Sequence, residues 1–194
     1  VPAWVGPGRD LARAVLSAVR DSLAVAKQRG LPALPAGGAF LNHSLLALVR
    51  RRAPEATPMH RLGRATSGLV LFARTAAARG PLQEQFRARQ TRKVYLTLCT
   101  GLPEQETFDI ATPIGEVPYA PLGLLHAASP EGRPSLSHAR VLERREGCAL
   151  MEVEIATGRP HRIRIHLASA AHPLVGDPPS GPAAPPLPRP RPAP

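Results

Sequence analysis

The sequence predicts an α+β protein, because strand-like and helix-like segments are interspersed along its 194 residues. The apolar run at 69–73 and the alternating segments at 92–101 and 149–155 have the length and pattern of β-strands. Leu82 and Phe86 lie one helical turn apart and indicate an α-helix. An apolar content of 43% and this chain length are enough for a real core, in one domain or in two closely packed lobes.

The charge balance points to a polyanionic partner. A formal net charge of +11 at pH 7 raises affinity and association rate for nucleic acid. Nearly all of the positive charge is Arg, with Lys only at Lys27 and Lys93. Because the chain is also rich in Ala, Pro and Gly, part of the charge reflects a compositional bias. We still favour a nucleic-acid partner.

The apolar pattern of residues 10–29 favours an amphipathic helix. Apolar residues occur at every fourth position of this stretch: Leu11, Val15, Val19 and Leu23.

The middle of the chain reads more simply. Asn42 or Ser44 can cap a short helix at 45–49, and Pro54 ends it. The three consecutive Arg at 50–52 lie at the end of this helix, where positive charges interact favourably with the helix dipole. The alternative interpretation is that these arginines contact RNA. A second helix is expected at 75–89 with an interruption at Gly80-Pro81. Further strands are expected at two segments, 107–114 and 135–144. A long Pro- and Gly-containing loop at 118–132 is a candidate RNA-contacting insertion.

The two cysteines, Cys99 and Cys148, are far apart and match no metal-ligand spacing. Their apolar, strand-like surroundings predict reduced thiols in the core and a cytoplasmic protein. Three histidines have no carboxylate or Cys at ligand spacing, so we expect no metal: His60, His161 and His166. No apolar run approaches the length of a membrane span, and we expect no membrane association.

The segment at 60–68 reads HRLGRATSG and precedes the apolar strand. Its two Gly permit a tight turn or a close approach to a ligand. Arg61 and Arg64 are fixed charges that suit phosphate or base edges, and Thr66 and Ser67 add hydroxyls. Taken alone, an anion-facing loop and an ordinary basic surface turn fit these residues equally well.

Two later segments carry similar chemistry. RKVYLTLCTG at 92–101 includes Lys93 and Tyr95, and the tyrosine also fits a half-buried core aromatic. TGRPHRIRIHL at 157–167 concentrates cations before and within a short helix.

In this order, the three segments resemble the motifs of the RluA family of RNA pseudouridine synthases: HRLDxxTSG, KxYLxxVxG and GRxHQIRxHL. AHPLVGDP at 171–178 resembles a further family segment, GHPLVGDP. Within the three motifs the chain departs from the family at three positions: Cys99 for Val, Arg162 for Gln, and Gly63 for the catalytic Asp. The resemblance covers roughly residues 14–177. For residues 10–29 it implies a strand at 14–19, a turn at 20–22 and a second strand at 23–27, and we follow this two-strand interpretation over the helix.

The resemblance implies the pseudouridine-synthase fold, a mixed and mostly antiparallel sheet with flanking helices and a central RNA-binding cleft. It predicts an N-terminal extension at 1–13, a catalytic-type domain at 14–177 without an S4 domain, and a Pro-rich tail at 178–194. Such a tail is typically polyproline II or disordered, and docking on an SH3-like groove is the alternative.

Members of this family convert the N1–C1′ bond of a uridine in RNA into a C5–C1′ bond, with no cofactor and no metal. The resemblance therefore implies an isomerase acting on rRNA or tRNA, and we expect a monomer. By motif position, Arg61 fills the space left by the extruded uridine, Tyr95 packs on its base, and Arg164 holds the catalytic carboxylate. The remaining RNA-contacting residues are expected to be Arg64, Thr66, Ser67, Lys93, Arg159, His161 and Arg162.

Gly63 offers no carboxylate for this reaction, and its presence is expected to leave Arg164 without an anion. Two hypotheses follow. Either a carboxylate comes from elsewhere, or the chain is a catalytically silent RNA-binding protein. The acids nearest to the motifs are Asp21, Asp109 and Asp177. A carboxylate within about 4 Å of the Arg164 guanidinium favours the enzyme.

Overall fold

A computed structural model describes residues 15–36, 41–119, 123–155, 158–159 and 161–177. Contacts divide the chain into two units, Val1–Gln90 and Thr91–Pro194. The predictions for the extension at 1–13 and the tail at 178–194 lie outside the described residues.

The first unit contains an antiparallel sheet with the strand order β1-β2-β4-β3. Its strands are β1 (Val15–Ala18), β2 (Ser22–Lys27), β3 (Thr57–Pro58) and β4 (Gly68–Ala73). Alternate residues of β2 are buried, and this period of two is that of a strand with one face on a core. The two-strand prediction for this region is confirmed, and the helical one is wrong.

Two capped helices belong to the same unit. The Ser44 hydroxyl accepts the Ala47 N–H at 3.2 Å and caps α1 (Leu45–Arg50). Thr75 caps α2 (Ala76–Arg87) in the same way, through Ala78. The expected interruption at Gly80-Pro81 is wrong, because α2 continues through both residues. Proline has a helical φ, so its cost is confined to one missing hydrogen bond and a steric contact with the preceding turn.

The second unit contains a four-stranded antiparallel sheet with the order β5-β10-β9-β6. Its strands are β5 (Val94–Thr100), β6 (Thr107–Ile110), β9 (Ser137–Arg145) and β10 (Cys148–Ile155). Leu167 of helix α3 (Arg162–Ser169) joins the buried cluster on one face of this sheet, together with Met151 and Val153. This helix is thereby fixed against the sheet by apolar burial.

A separate hairpin, β7 (Ile114–Tyr119) and β8 (Gly123–Ala128), follows β6. The single strand predicted at 107–114 is therefore two strands, with a break after Ile110. The prediction of a long loop at 118–132 is also wrong in part, because strand β8 lies within this range. A contact of this region with RNA stays a prediction. An antiparallel bridge between Ile114 and Arg133 closes the base of the hairpin.

Both cysteines are free thiols, with Cys99 buried and Cys148 half-buried. Among the residues that the structure describes, no helix has the length and apolar character needed to cross a membrane.

Candidate active site

The signature loop, residues 60–68, connects β3 to β4, and its first residue anchors it. His60 Nε2 accepts the Leu71 N–H at 3.2 Å. The His60 ring also stacks on Phe86 of α2, with 5.4 Å between ring centroids. Leu62 is buried, so the loop is fastened to the core of the first unit at two neighbouring positions.

Gly63 opens a tight turn in this loop. Its carbonyl oxygen accepts the Thr66 N–H at 3.1 Å, and Arg64 at the turn is exposed. A Cβ built on Gly63 would meet only Thr66 Oγ1 within 4 Å, at 3.6 Å, and its φ is not positive. The backbone therefore does not require glycine here, and there is room for a Cβ. Arg61 and Ser67 are exposed and Thr66 is half-buried, which suits their predicted contacts with RNA.

Lys27, at the end of β2, is a buried residue that is hydrogen-bonded to the signature loop. Its side chain is 1% exposed, and Nζ donates to the carbonyl oxygens of Leu31 at 2.8 Å and Arg64 at 3.3 Å. Burial away from water lowers the pKa of Lys27 to about 8. Lys27 was not among the predicted site residues. The available signal was a lone lysine at the end of an otherwise apolar strand.

In the second unit, Tyr95 of β5 is half-buried and packs against the sheet core. Desolvation raises the pKa of its hydroxyl, so the phenol stays protonated. Lys93, just before β5, is also half-buried, and its pKa is lowered by desolvation and by the charge of Arg162. Lys93 therefore lies close enough to Arg162 for the positive charge of the arginine to disfavour the charged form of the lysine.

Arg162 has a different position from the one predicted. Its side chain is 2% exposed, and Nη1 donates to the carbonyl oxygen of Leu136 at 3.2 Å. The guanidinium faces the interior, and the expected contact of Arg162 with RNA stays a prediction. We interpret Arg162 as a buried cation that fixes the start of α3. Arg159 is half-buried, and its Nε has no hydrogen-bond partner in the described part of the chain.

Arg164 is paired with a carboxylate. Its Nε lies 2.7 Å from Asp177 Oδ2, and the two side chains are 32% and 17% exposed. The expectation that Gly63 leaves Arg164 without an anion is therefore wrong. A carboxylate has reached this arginine from 13 residues along the chain, in the segment after α3. The other two acids have different partners: Asp21 accepts from Thr75 Oγ1, and Asp109 pairs with His138.

Two histidines, one at the N-cap of α3 and one within the helix, have distinct environments. His161 is exposed, stands at the N-cap, and has Nδ1 at 3.2 Å from Arg164 Nη1. His166 is buried, with Nδ1 bonded to Ser137 Oγ at 2.8 Å and Nε2 to the Thr112 carbonyl at 2.9 Å. His166 is thus a satisfied core histidine. No group of three or more His, Cys, Asp or Glu suited to a metal occurs among the described residues.

The predicted site residues therefore fall into two sets. The loop residues Arg61, Gly63, Arg64, Thr66 and Ser67 belong to the first unit. Tyr95 and the residues around α3 belong to the second, where Arg164, Asp177 and His161 form one hydrogen-bonded group. The catalytic and RNA-contacting roles of these residues stay predictions.

Comparison with known proteins adds the family. The RNA pseudouridylate synthase family matches residues 21–169. An uncharacterized RNA pseudouridine synthase of Synechocystis sp. is 43% identical over 186 residues, covering 95% of this chain and 64% of the relative. RNA pseudouridine synthase 5 of Arabidopsis thaliana is 38% identical over 207 residues, covering 90% of this chain and 56% of that protein. The chain thus spans less than two thirds of the length of these relatives.

A solved structure shows the same fold. Human RNA pseudouridylate synthase domain containing 1 superposes with a TM-score of 0.73 at 26% identity, covering 84% of this chain and 67% of the human one. The antiparallel sheets, the flanking helices and this superposition confirm the predicted α+β pseudouridine-synthase fold. With the family match extending over most of its length, the chain belongs to the RNA pseudouridylate synthase family.

Proposed function

We propose that this chain is an RNA pseudouridine synthase of the RluA type, which isomerises a uridine in structured rRNA or tRNA to pseudouridine. Family membership and the three motifs in RluA order support the proposal. The observation that carries it is the 2.7 Å pair between Arg164 Nε and Asp177 Oδ2. We also propose that the protein is a monomer and that it is cytoplasmic.

The reaction needs a carboxylate near the ribose. The N1–C1′ bond breaks with its electron pair leaving on the uracil, and positive charge develops at C1′. The uracil turns and reattaches through C5, C5 loses its proton to a base, and N1 gains a proton. The overall change is an isomerisation, so no oxidant or reductant is required. A carboxylate either attacks C1′ or stabilises its charge.

In this proposal Asp177 supplies the carboxylate that position 63 lacks. Arg164 holds it through a charge-assisted hydrogen bond, which is the role that the motif predicts for this arginine. Both side chains are partly exposed, so the pair is reachable by a ligand. Tyr95 would pack on the extruded base and Arg61 would fill the vacated stack.

A second candidate function is a catalytically silent RNA-binding protein with the same fold. Gly63 favours it, because the residue at the aspartate position of the family motif has no side chain. In this case the Arg164–Asp177 pair is only structural, and the basic surface serves binding alone.

The test is tritium release from RNA labelled at uridine C5, measured for the unaltered chain, Asp177→Asn, Gly63→Asp and the double variant Gly63→Asp/Asp177→Asn. Asp109→Asn is the matched control, because Asp109 is an aspartate of the same unit with a different partner, His138. The proposal predicts release by the unaltered chain and the control, and a loss of several orders of magnitude in Asp177→Asn.

Release by the double variant would show that the loss reflects the missing carboxylate and not a disrupted fold. Release by Gly63→Asp alone, with none from the unaltered chain, would support the silent RNA-binding protein. Release that is equal in Asp177→Asn and the unaltered chain would exclude Asp177 as the carboxylate.

A further inference from the structure

His161 has an unusual backbone conformation. Its φ is 55° and its ψ is 14°, in the left-handed region that residues with a side chain adopt only at an energetic cost. It stands at the N-cap of α3, yet its side chain makes no capping hydrogen bond. The strain is therefore not explained by helix capping, in which the side chain of the N-cap residue accepts a backbone N–H of the first helical turn.

The side chain is instead held by Arg164. Arg164 Nη1 lies 3.2 Å from His161 Nδ1, and a guanidinium can only donate hydrogen bonds. Nδ1 must therefore be the acceptor, so the ring is neutral and carries its proton on Nε2. The same guanidinium is fixed at Nε by Asp177, 2.7 Å away. Asp177, Arg164 and His161 thus form a chain that sets both the tautomer and the orientation of the imidazole.

The surroundings of His161 also affect the protonation of its ring. Desolvation lowers the pKa of His161, as do the charges of Arg164 on α3 and His126 on β8, while Asp177 opposes them. Glu116 of β7 lies 4.0 Å from His126, on the hairpin side of this group. The net effect keeps the ring uncharged near neutral pH. His161 is nevertheless an exposed residue.

We propose that His161 is a neutral, directional hydrogen-bond donor that binds an uncharged oxygen of the RNA, a base carbonyl or a ribose hydroxyl, through Nε2–H. One part of this inference rests on the proposed function, namely that the ligand is RNA. A neutral donor gains much less from a phosphate than an arginine does, and exposed arginines are plentiful in this chain. A fixed tautomer and an imposed orientation suit recognition of a single oxygen.

The first experiment is RNA affinity as a function of salt, with a stem-loop RNA that has an all-uridine loop. His161→Gly removes the donor and relieves the positive φ, so the variant should fold; His161→Gln restores a neutral N–H donor. We expect His161→Gly to bind about 5- to 10-fold more weakly with an unchanged salt slope, and His161→Gln to recover most of the loss.

Two results would overturn the proposal: unchanged affinity of His161→Gly, or a salt slope lowered by about one, which signals a phosphate contact. The same stem-loop with deoxyuridine in its loop separates the two sources of the oxygen. If the effect of His161→Gly disappears with this RNA, the acceptor is the ribose hydroxyl; if it persists, the acceptor is a base carbonyl.

The second experiment follows the histidine itself, by NMR titration of the free protein. His161 should titrate below the ordinary histidine range, and Asp177→Asn should lower its pKa further, because Asp177 favours the charged ring. A pKa at or above the ordinary value would contradict the neutral donor. Neither experiment depends on turnover, so absence of tritium release and failure of this inference are separate outcomes.

Discussion

Lys27 Nζ lies 3.3 Å from the carbonyl oxygen of Arg64, so a buried cation at the end of β2 holds the turn of the signature loop. The same carbonyl accepts the Gly30 N–H at 2.7 Å. This backbone oxygen of the loop thus accepts two hydrogen bonds, one from the last residue of β2 and one from the turn that follows it. The exposed arginines of the loop gain their fixed positions from this buried attachment.

Lys27→Met should loosen the loop. The change leaves three carbonyl oxygens without their ammonium donor, those of Gln28, Leu31 and Arg64. We expect a loss of about 1–3 kcal/mol in the free energy of unfolding, and faster hydrogen exchange at the Gly30 and Thr66 amides. Urea unfolding and exchange NMR would measure these effects. Arg20→Met, at an exposed cation of the β1–β2 turn, is the control; equal effects of the two changes would contradict the attachment.

His166 should make the second unit sensitive to acid. Desolvation lowers its pKa, the hydrogen bond to the Thr112 carbonyl opposes this shift, and the charge of Arg162 adds to it. The net lowering means that the folded protein binds a proton less readily than the unfolded chain. Because the unfolded state takes up the proton first, stability is full above the ordinary histidine pKa of about 6.5 and falls as pH drops through the lower folded value. Urea unfolding at pH 7.5 and pH 5.5 would show it.

His166→Gln should remove this component of the pH dependence, since the amide keeps a donor and an acceptor without titrating. His43→Gln, at an exposed histidine of the first unit, is the control. A pH dependence in His166→Gln as steep as in the unaltered protein would show that another group is responsible.

Pro81 marks a place where local signals and the structure disagree. The dipeptide Gly80-Pro81 predicts a break, but α2 runs through it, capped by Thr75. Pro81→Ala would restore the bond to the Ala77 carbonyl and should raise the free energy of unfolding by about 1–3 kcal/mol. Gly80→Ala, whose Cβ meets no atom within 4 Å, should raise it by only about 0.5–1 kcal/mol. Thermal melts would compare them, and a destabilised Pro81→Ala would count against a continuous helix.

Gly132 is required by a close approach of two backbones. A Cβ there would lie 2.5 Å from the Ile114 carbonyl carbon and 2.7 Å from the Gly115 nitrogen. Gly132→Ala should therefore push apart the base of the β7–β8 hairpin and cost more than about 2 kcal/mol. Gly147→Ala is a useful comparison, because it has a positive φ but open space and should cost less. Similar losses in urea unfolding would show that strain, and not crowding, dominates.

Much of the fold follows from patterns that are local in sequence. The period of two in β5 and β10, the cap at Ser44 and the loop before β4 were all predictable, because each depends on neighbouring residues. The pairing of Arg164 with Asp177 does not follow from such patterns, because nothing in the spacing of the two residues joins them. The burial of Arg162 was missed for a similar reason. Its place in the helix was predicted, but the Leu136 carbonyl that receives it comes from 26 residues away.

The contrast between Arg159 and Arg162 gives a test of which arginine of the third motif contacts RNA. Arg159 is half-buried, whereas the Arg162 guanidinium is turned into the protein. Arg159→Ala should lower the salt slope of RNA affinity by about one and leave unfolding unchanged. Arg162→Met should instead reduce stability, by removing the donor to Leu136, and leave the salt slope of the folded fraction unchanged. Affinity measured between 50 and roughly 200 mM salt, with urea unfolding of each variant, separates the two roles. A lower slope in Arg162→Met would mean that the buried guanidinium turns outward when RNA binds, and would restore the contact that its motif position predicts.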